Sequence, residues 1–328
     1  MLMVTGGAGF IGSCLLAALD KRGEPDLVVC DRLGVGEKWR NLAKRQLADL
    51  VPPEELDRWL AGRGRRLRAL VHLGAVSSTV ETDADLIVAS NVRLTLRLWD
   101  WCARQRVPFI YASSAAVYGD GAAGFEDSLA TADLAALRPL NPYGWSKLLS
   151  DRRIATLVAR GAARPPQWVG LRFFNVYGPN EYHKGGQQSL VPQLHSQIKA
   201  TGRAALFRSY RADYVDGGQE RDFVWIDDVV GVMTWLLDRP DVSGLFNVGS
   251  GRARSFADLA QAVFAALNRP PAIDFVDMPE RLRDRYQYHT CARLERLRAA
   301  GCPFQPLPLE DGVRRYVEGY LESADPHR

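Results

Sequence analysis

The first half of the chain alternates short apolar runs with longer stretches of helical character. The runs Leu2–Thr5, Leu27–Cys30, Ala69–Leu73, Pro108–Ala112 and Trp168–Phe173 predict strands. Between them Ile11–Arg22, a segment around Glu54–Leu60, Asp85–Arg106 and Tyr143–Ala159 predict helices. Such alternation predicts an α/β protein with a doubly wound parallel sheet. Ala69–Leu73 reads ALVHL, nearly all apolar, as a strand covered on both faces should.

Beyond Phe174 the pattern loosens. Loops rich in Gly, Gln, Asp and Tyr are expected at Gly185–Ser189 and Arg211–Glu220, and strands at Phe223–Ile226 and Leu245–Val248. Ser255, with Asp258 three residues on, predicts a capped helix through Leu267. The basic run Gly62–Arg68 reads as a solvated loop.

The chain has 328 residues, which suits two lobes. Its 47% apolar and 24% charged residues are ordinary for a globular protein. A net charge of +4 makes no electrostatic case for nucleic acid. Five cysteines without a CxxC pair argue against a disulfide framework and a zinc site, so no metal is expected. The opening MLMVT leads straight into a glycine turn, leaving no signal peptide, and no run approaches the ~20 apolar residues of a membrane helix. A cytoplasmic location is the expectation.

That turn, VTGGAGFIG, sets Gly6, Gly9 and Gly12 after a strand and at the start of a helix. Glycines here allow a tight turn and a close approach to a pyrophosphate, which the helix N-terminus then attracts. Asp31 follows nineteen residues past Gly12, at the end of the second strand. The context of a dinucleotide fingerprint is met. Asp31 favours NAD through the ribose hydroxyls, whereas Arg32 and Lys38 are suited to the 2′-phosphate of NADP.

Further on, NPYGWSK sets Tyr143 and Lys147 one helical turn apart on a common face. A lysine beside a phenol favours the phenolate, so a tyrosine can exchange a proton with an alcohol while hydride moves to nicotinamide. The preceding strand ends in ASSAAVYG and supplies the Ser114 hydroxyl for a sugar oxygen.

The GxxGxxG turn, the YxxxK pair and the run FFNVYGP resemble the extended short-chain dehydrogenase/reductases, the NAD-dependent epimerase/dehydratase family. The resemblance implies a Rossmann-type sheet with a smaller α/β substrate-binding lobe. The expected boundaries are 1–172 for the dinucleotide domain, with returning segments at about 225–253 and 285–308. The substrate lobe takes 173–224, 254–284 and 309–328. Sugar 4,6-dehydratases of this family carry Thr-Asp-Glu where this chain has Ser114-Ala115-Ala116, which favours epimerisation or simple redox over loss of water.

Within the family, GAVSSTVE (Gly74–Glu81), EYHKGG, RDFVWIDDVV and RYQ (Arg285–Gln287) are similar to ADP-L-glycero-D-manno-heptose 6-epimerases. That likeness implies oxidation of carbon 6 to a ketone on bound NADP and hydride return to the opposite face, in lipopolysaccharide core heptose synthesis. It implies Tyr143 and Lys184 as the two proton-transfer groups. It also implies cofactor contacts at Phe10, Ile11, Leu73, Gly74, Ala75, Val76, Ser77, Asn91, Lys147, Val176 and Lys184. Substrate contacts are implied at Ser114, Asn175, Gly186, Gln193, Phe207, Arg221 and Tyr286, with Arg221 on the nucleotide diphosphate. A homo-oligomer, a pentamer, is implied too. The chain departs from its relatives at Leu73 (a glutamate), Pro53 (a lysine), Gly186 (a serine) and Gln193 (a histidine), and carries Arg211–Glu220 as extra loop. A UDP-hexose 4-epimerase and a non-catalytic dinucleotide sensor are the competing readings.

Overall fold

The computed structural model describes residues 1–283 and 286–328. Twelve strands are described: β1 Leu2–Thr5, β2 Leu27–Cys30, β3 Asp49–Val51, β4 Ala69–His72, β5 Phe109–Ser114, β6 Trp168–Phe173, β7 Asn175–Tyr177, β8 Ala204–Phe207, β9 Glu220–Trp225, β10 Gly244–Val248, β11 Ala253–Ser255 and β12 Ile273–Val276. Seven form one sheet in the order β10-β6-β5-β4-β1-β2-β3. Every pairing in it is parallel, as in Leu2 against Leu27 on one side and against Ala69 on the other. Parallel strands need helical crossovers, and helices on both faces explain why β1, β2 and β4 are buried at every position.

The chain winds outward from β1 in one direction through β2 and β3, then returns to lay β4 on the other side of β1. Loops at such a reversal leave a crevice beyond the strand ends, where ligands of α/β proteins bind. The second half adds β11-β9-β7 and the pair β12-β8 beside that crevice. β10 comes late in sequence and closes the large sheet against β6.

Several sequence expectations shift. The segment near Glu54–Leu60 is a 3-10 turn, Pro53–Glu55, followed by the helix Leu56–Arg63. Gly62–Arg68 is that helix end and a second 3-10 turn rather than a loop, although its arginines are exposed as expected. Gly64 is buried there because the Trp101 ring covers it. The helix predicted as Asp85–Arg106 is broken by a π-helical segment, Val88–Arg93, in which Asn91 sits. Ile226 opens a helix instead of ending a strand. The strands β3, β7, β8, β11 and β12 were not legible, being only three or four residues long and lying at edges or in small sheets.

The Ser255 cap holds as expected. Its side chain accepts from the Asp258 amide at 2.9 Å, and Asp258 reaches back to the Ser255 amide at 3.1 Å. The helix Pro142–Ala159 starts for equally local reasons. Asn141 accepts from the Gly144 amide at 2.8 Å, and Pro142, which has no N–H to leave unpaired, occupies the first turn.

Under that helix lies a fully buried ion pair. Arg172 Nε donates to Asp151 Oδ2 at 3.0 Å, and neither side chain is exposed to solvent. Asp151 also accepts from Tyr111 Oη at 3.1 Å and Ser113 Oγ at 2.9 Å, and Arg172 donates to Tyr118 Oη at 2.9 Å. The network ties β5, β6 and the helix carrying Tyr143 and Lys147 into one block. No helix among the described residues is long and apolar enough to cross a membrane.

Candidate active site

A cleft of about 710 Å³ opens beyond the strand ends at the β1/β4 reversal. Gly6, Gly9, Phe10, Ile11 and Gly12 form one wall. Gly6 has φ of +69°, and a Cβ there would lie 2.6 Å from the Gly74 amide nitrogen. The loops leaving β1 and β4 therefore meet backbone to backbone, which only glycine allows. At Gly12 a Cβ would strike the Gly6 carbonyl. These positions make a cradle for a pyrophosphate, with the helix Phe10–Lys21 beginning behind it.

Asp31 holds this cradle from the end of β2. Its Oδ2 accepts from the Ala8 amide at 2.9 Å, and its Oδ1 accepts from the Arg32 amide and from Lys38 Nζ, both at 2.7 Å. Asp31 and Lys38 line the cleft. The Arg32 side chain is 70% exposed, pairs with Glu54 and stands outside the lining.

Leu73, Gly74, Ala75 and Ser77 line the cleft from the loop after β4. Val76 is held from behind: its amide donates to Asn91 Oδ1 at 2.8 Å, and Asn91 Nδ2 donates to the Val76 carbonyl at 2.9 Å and Ser146 Oγ at 3.0 Å. Asn91 is fully buried and does not face the cleft. It couples the β4 loop to the helix bearing Tyr143.

Ser114, Tyr143 and Lys147 line the cleft's centre. Lys147 Nζ donates to the Ala112 carbonyl at 2.8 Å and lies 5.9 Å from the Tyr143 ring centroid. Burial pushes its pKa down to about 8, opposed by the Asp151 carboxylate. The expectation that Lys147 lowers the phenol's pKa is not met. Burial raises the Tyr143 phenol above its ordinary value, and the Ser114 hydroxyl is the group that opposes it. The ammonium hydrogen-bonds a backbone carbonyl instead of the phenol, so desolvation dominates.

Asn175 and Val176 on β7 line the same cleft, as do Gln193, Arg221 and Tyr286. Arg221 is buried. Its guanidinium lies 5.5 Å from the Phe256 ring centroid and 5.2 Å from that of Tyr286. Phe207 stands behind Tyr286, edge to face at 6.4 Å, and like Gly186 it is not part of the lining. Arg285 of the RYQ triplet lies outside the described residues.

Lys184 enters the cleft on the 3-10 segment Tyr182–Gln187, with its ammonium 5.6 Å from the Phe10 ring centroid. Burial holds its pKa below the usual lysine range, opposed by Glu181. Tyr143 and Lys184, 41 positions apart in sequence, thus face one cavity.

Three residues that sequence reasoning passed over hold this arrangement. Asn41 Nδ2 donates to the carbonyls of Ala8 and Asn180, each at 2.9 Å, and contacts His183 Nδ1 at 3.2 Å. Glu181, wholly buried, accepts from Ser189 Oγ at 2.7 Å and from Tyr316 Oη at 3.2 Å. Phe256 stacks on Arg221. EYHKGG itself contains Glu181, but nothing local marks Asn41.

The chain matches the model of the NAD dependent epimerase/dehydratase family over residues 2–249. It is 48% identical over 329 residues to an ADP-L-glycero-D-manno-heptose-6-epimerase of Nitratidesulfovibrio vulgaris, with 100% of both chains covered. A protein of the same name from Fusobacterium nucleatum is 41% identical over 333 residues, covering 99% of each chain. Among solved structures, the Helicobacter pylori ADP-L-glycero-D-manno-heptose-6-epimerase superposes with a TM-score of 0.78 at 28% identity, covering 97% of this chain and 95% of that one. The Thermus thermophilus UDP-glucose 4-epimerase, solved with NAD, superposes at 0.74 with 25% identity, covering 98% of this chain and 99% of that one.

Proposed function

The chain belongs to the NAD dependent epimerase/dehydratase family, and from that premise we infer that it inverts carbon 6 of ADP-D-glycero-D-manno-heptose to give the L-glycero epimer. The full-length likeness to heptose epimerases supports this reading, and one geometric observation carries its chemistry: Tyr143 and Lys184 reach a common cleft from separate segments.

The glycine cradle, Asp31, Lys38 and Lys147 fit a nicotinamide dinucleotide. When bound, such a cofactor would supply a reversible hydride acceptor for carbon 6. The chain's own residues do the rest. Tyr143 takes the hydroxyl proton of one epimer, with Ser114 holding the oxygen. Lys184, as its ammonium, gives a proton to the carbonyl oxygen when the other face of the ketone is presented, and exchange with solvent resets both groups. A single phenol cannot serve both presentations, because proton transfer needs heavy atoms within about 3 Å. A lysine whose pKa burial lowers gives up its proton more readily than one in water. Arg221, stacked between two rings, holds the diphosphate so that the sugar end is free to turn.

We propose NADP as the preferred cofactor, with Lys38 beside Asp31 meeting its 2′-phosphate. Lipopolysaccharide heptose synthesis is the proposed setting. The test is turnover: ADP-D-glycero-D-manno-heptose should be epimerised and UDP-galactose should not. Mass spectrometry of nucleotide released on denaturation should find NADP. Conversion of UDP-galactose alone would overturn the substrate assignment, and release of NAD alone would overturn the cofactor assignment.

A further inference from the structure

Lys184 is placed by its backbone. Among the described residues its ammonium has no hydrogen-bond or ion-pair partner, only the Phe10 ring. On its C-terminal side follow Gly185, at φ of +54°, and Gly186, and the Gln188 amide closes the segment on the Gly185 carbonyl at 3.1 Å while Gln188 Nε2 donates to the Tyr182 carbonyl at 2.9 Å. On its N-terminal side lies Asn180–His183, and this is where residues 325–328 dock.

The docking is polar and specific. Tyr182 Oη donates to the Pro326 carbonyl at 2.9 Å, and the Tyr182 ring meets the His327 ring edge to face at 5.3 Å. Asn180 Oδ1 accepts from the Arg328 amide at 2.8 Å, while Asn180 Nδ2 donates to Ser13 Oγ at 3.0 Å in the helix behind the glycine cradle. Other bonds hold the docked segment to the dinucleotide side. Lys44 Nζ donates to the His327 carbonyl at 2.7 Å and pairs with Asp325 at 2.8 Å, and the Arg328 guanidinium pairs with Asp227. Lys44 lies just past the turn that carries Lys38 and Asn41.

We propose that residues 325–328 are a strap that positions Lys184, by pinning Asn180 and Tyr182 through Lys44 and Asp227. Residue Tyr182 is a positioning residue in this arrangement and touches no reacting atom. The proposal rests on Lys184 being the second proton-transfer group.

The experiment compares three variants with the intact chain: one ending at Ala324, Tyr182→Phe, and Lys184→Met. Rapid-mixing absorbance of the reduced nicotinamide reads oxidation of each epimer separately, steady-state assays read epimerisation, and thermal melting reads the fold. A misplaced second group should spare oxidation of one epimer and slow the other. The shortened chain should therefore reproduce the Lys184→Met pattern, with epimerisation reduced at least about tenfold. General acid–base groups contribute roughly 10²–10⁴-fold, so a partial displacement falls within reach of the assay. Tyr182→Phe, which removes one hydroxyl and leaves the fold intact, should show the same selectivity more weakly. Shortening a chain that already carries Lys184→Met should cost nothing further, because both changes act through one group. Equal slowing of both epimers, or additive losses in the combined variant, overturns the strap while leaving Lys184 in its role. Full activity of Lys184→Met overturns the two-group reading and the strap with it. Failure of the intact chain to turn over ADP-heptose would instead refute the substrate assignment.

Discussion

The ammonium of Lys147 lies 5.9 Å from the centroid of the Tyr143 ring, yet its hydrogen bond goes to the Ala112 carbonyl at 2.8 Å. The pair is one helical turn apart and shares the floor of the cleft. Burial raises the phenol's pKa, and the Ser114 hydroxyl opposes that rise. The groups brought by cofactor and substrate must supply the remaining stabilisation of the phenolate.

Replacing Tyr143 by Phe should keep the fold and the cofactor while cutting epimerisation by about 10²–10⁴-fold. The side chain sits within a helix whose cap and first turn do not use the phenol. Steady-state kinetics with ADP-heptose and nucleotide content of the purified variant check both halves of the statement. A near-normal rate would remove Tyr143 from the mechanism.

Replacing both Arg32 and Lys38 by Ala should weaken NADP more than NAD. Lys38 should account for most of the difference, since it lines the cleft while Arg32 pairs with Glu54 in solvent. Binding titrations of the two single variants and the double variant with both nucleotides test this. Equal losses for the two nucleotides would exclude a 2′-phosphate contact.

Lys147 gives a pH dependence with a definite sign. Its folded pKa of about 8 lies below the ordinary 10.5. Between these values the unfolded chain holds a proton that the folded chain has released, so stability rises with pH across that window. The intact protein should therefore gain on Lys147→Met between about pH 8 and 10.5, by denaturant midpoints. Parallel curves would show that the burial of Lys147 carries no such linkage.

Arg172→Met should destabilise the fold by about 3–5 kcal/mol, because it strands the Asp151 carboxylate in a dry interior. Denaturant unfolding measures it. The activity of the folded fraction should fall too, since Asp151 helps fix the helix that presents Tyr143 and Lys147. A loss below about 1 kcal/mol would mean that water reaches Asp151.

Much of the dinucleotide half was legible in the linear chain, because its signals are local. A strand that is apolar at every position and a glycine turn entering a helix are each decided within a few residues. So is the Tyr143–Lys147 spacing, which follows from 3.6 residues per turn. The short strands β7, β8, β11 and β12 and the π-helical break around Asn91 escaped because packing, not periodicity, creates them.

The sequence by itself determined the fold class, the glycine turn after the first strand and the one-turn spacing of Tyr143 and Lys147. Tertiary structure alone decided how those groups are held and in what state. It turned Arg32 toward Glu54, raised the Tyr143 phenol instead of lowering it, and joined Asn41 to Asn180 across 139 positions. Burial and long-range hydrogen bonds depend on which segments share a wall, and no residue's neighbours in sequence carry that information.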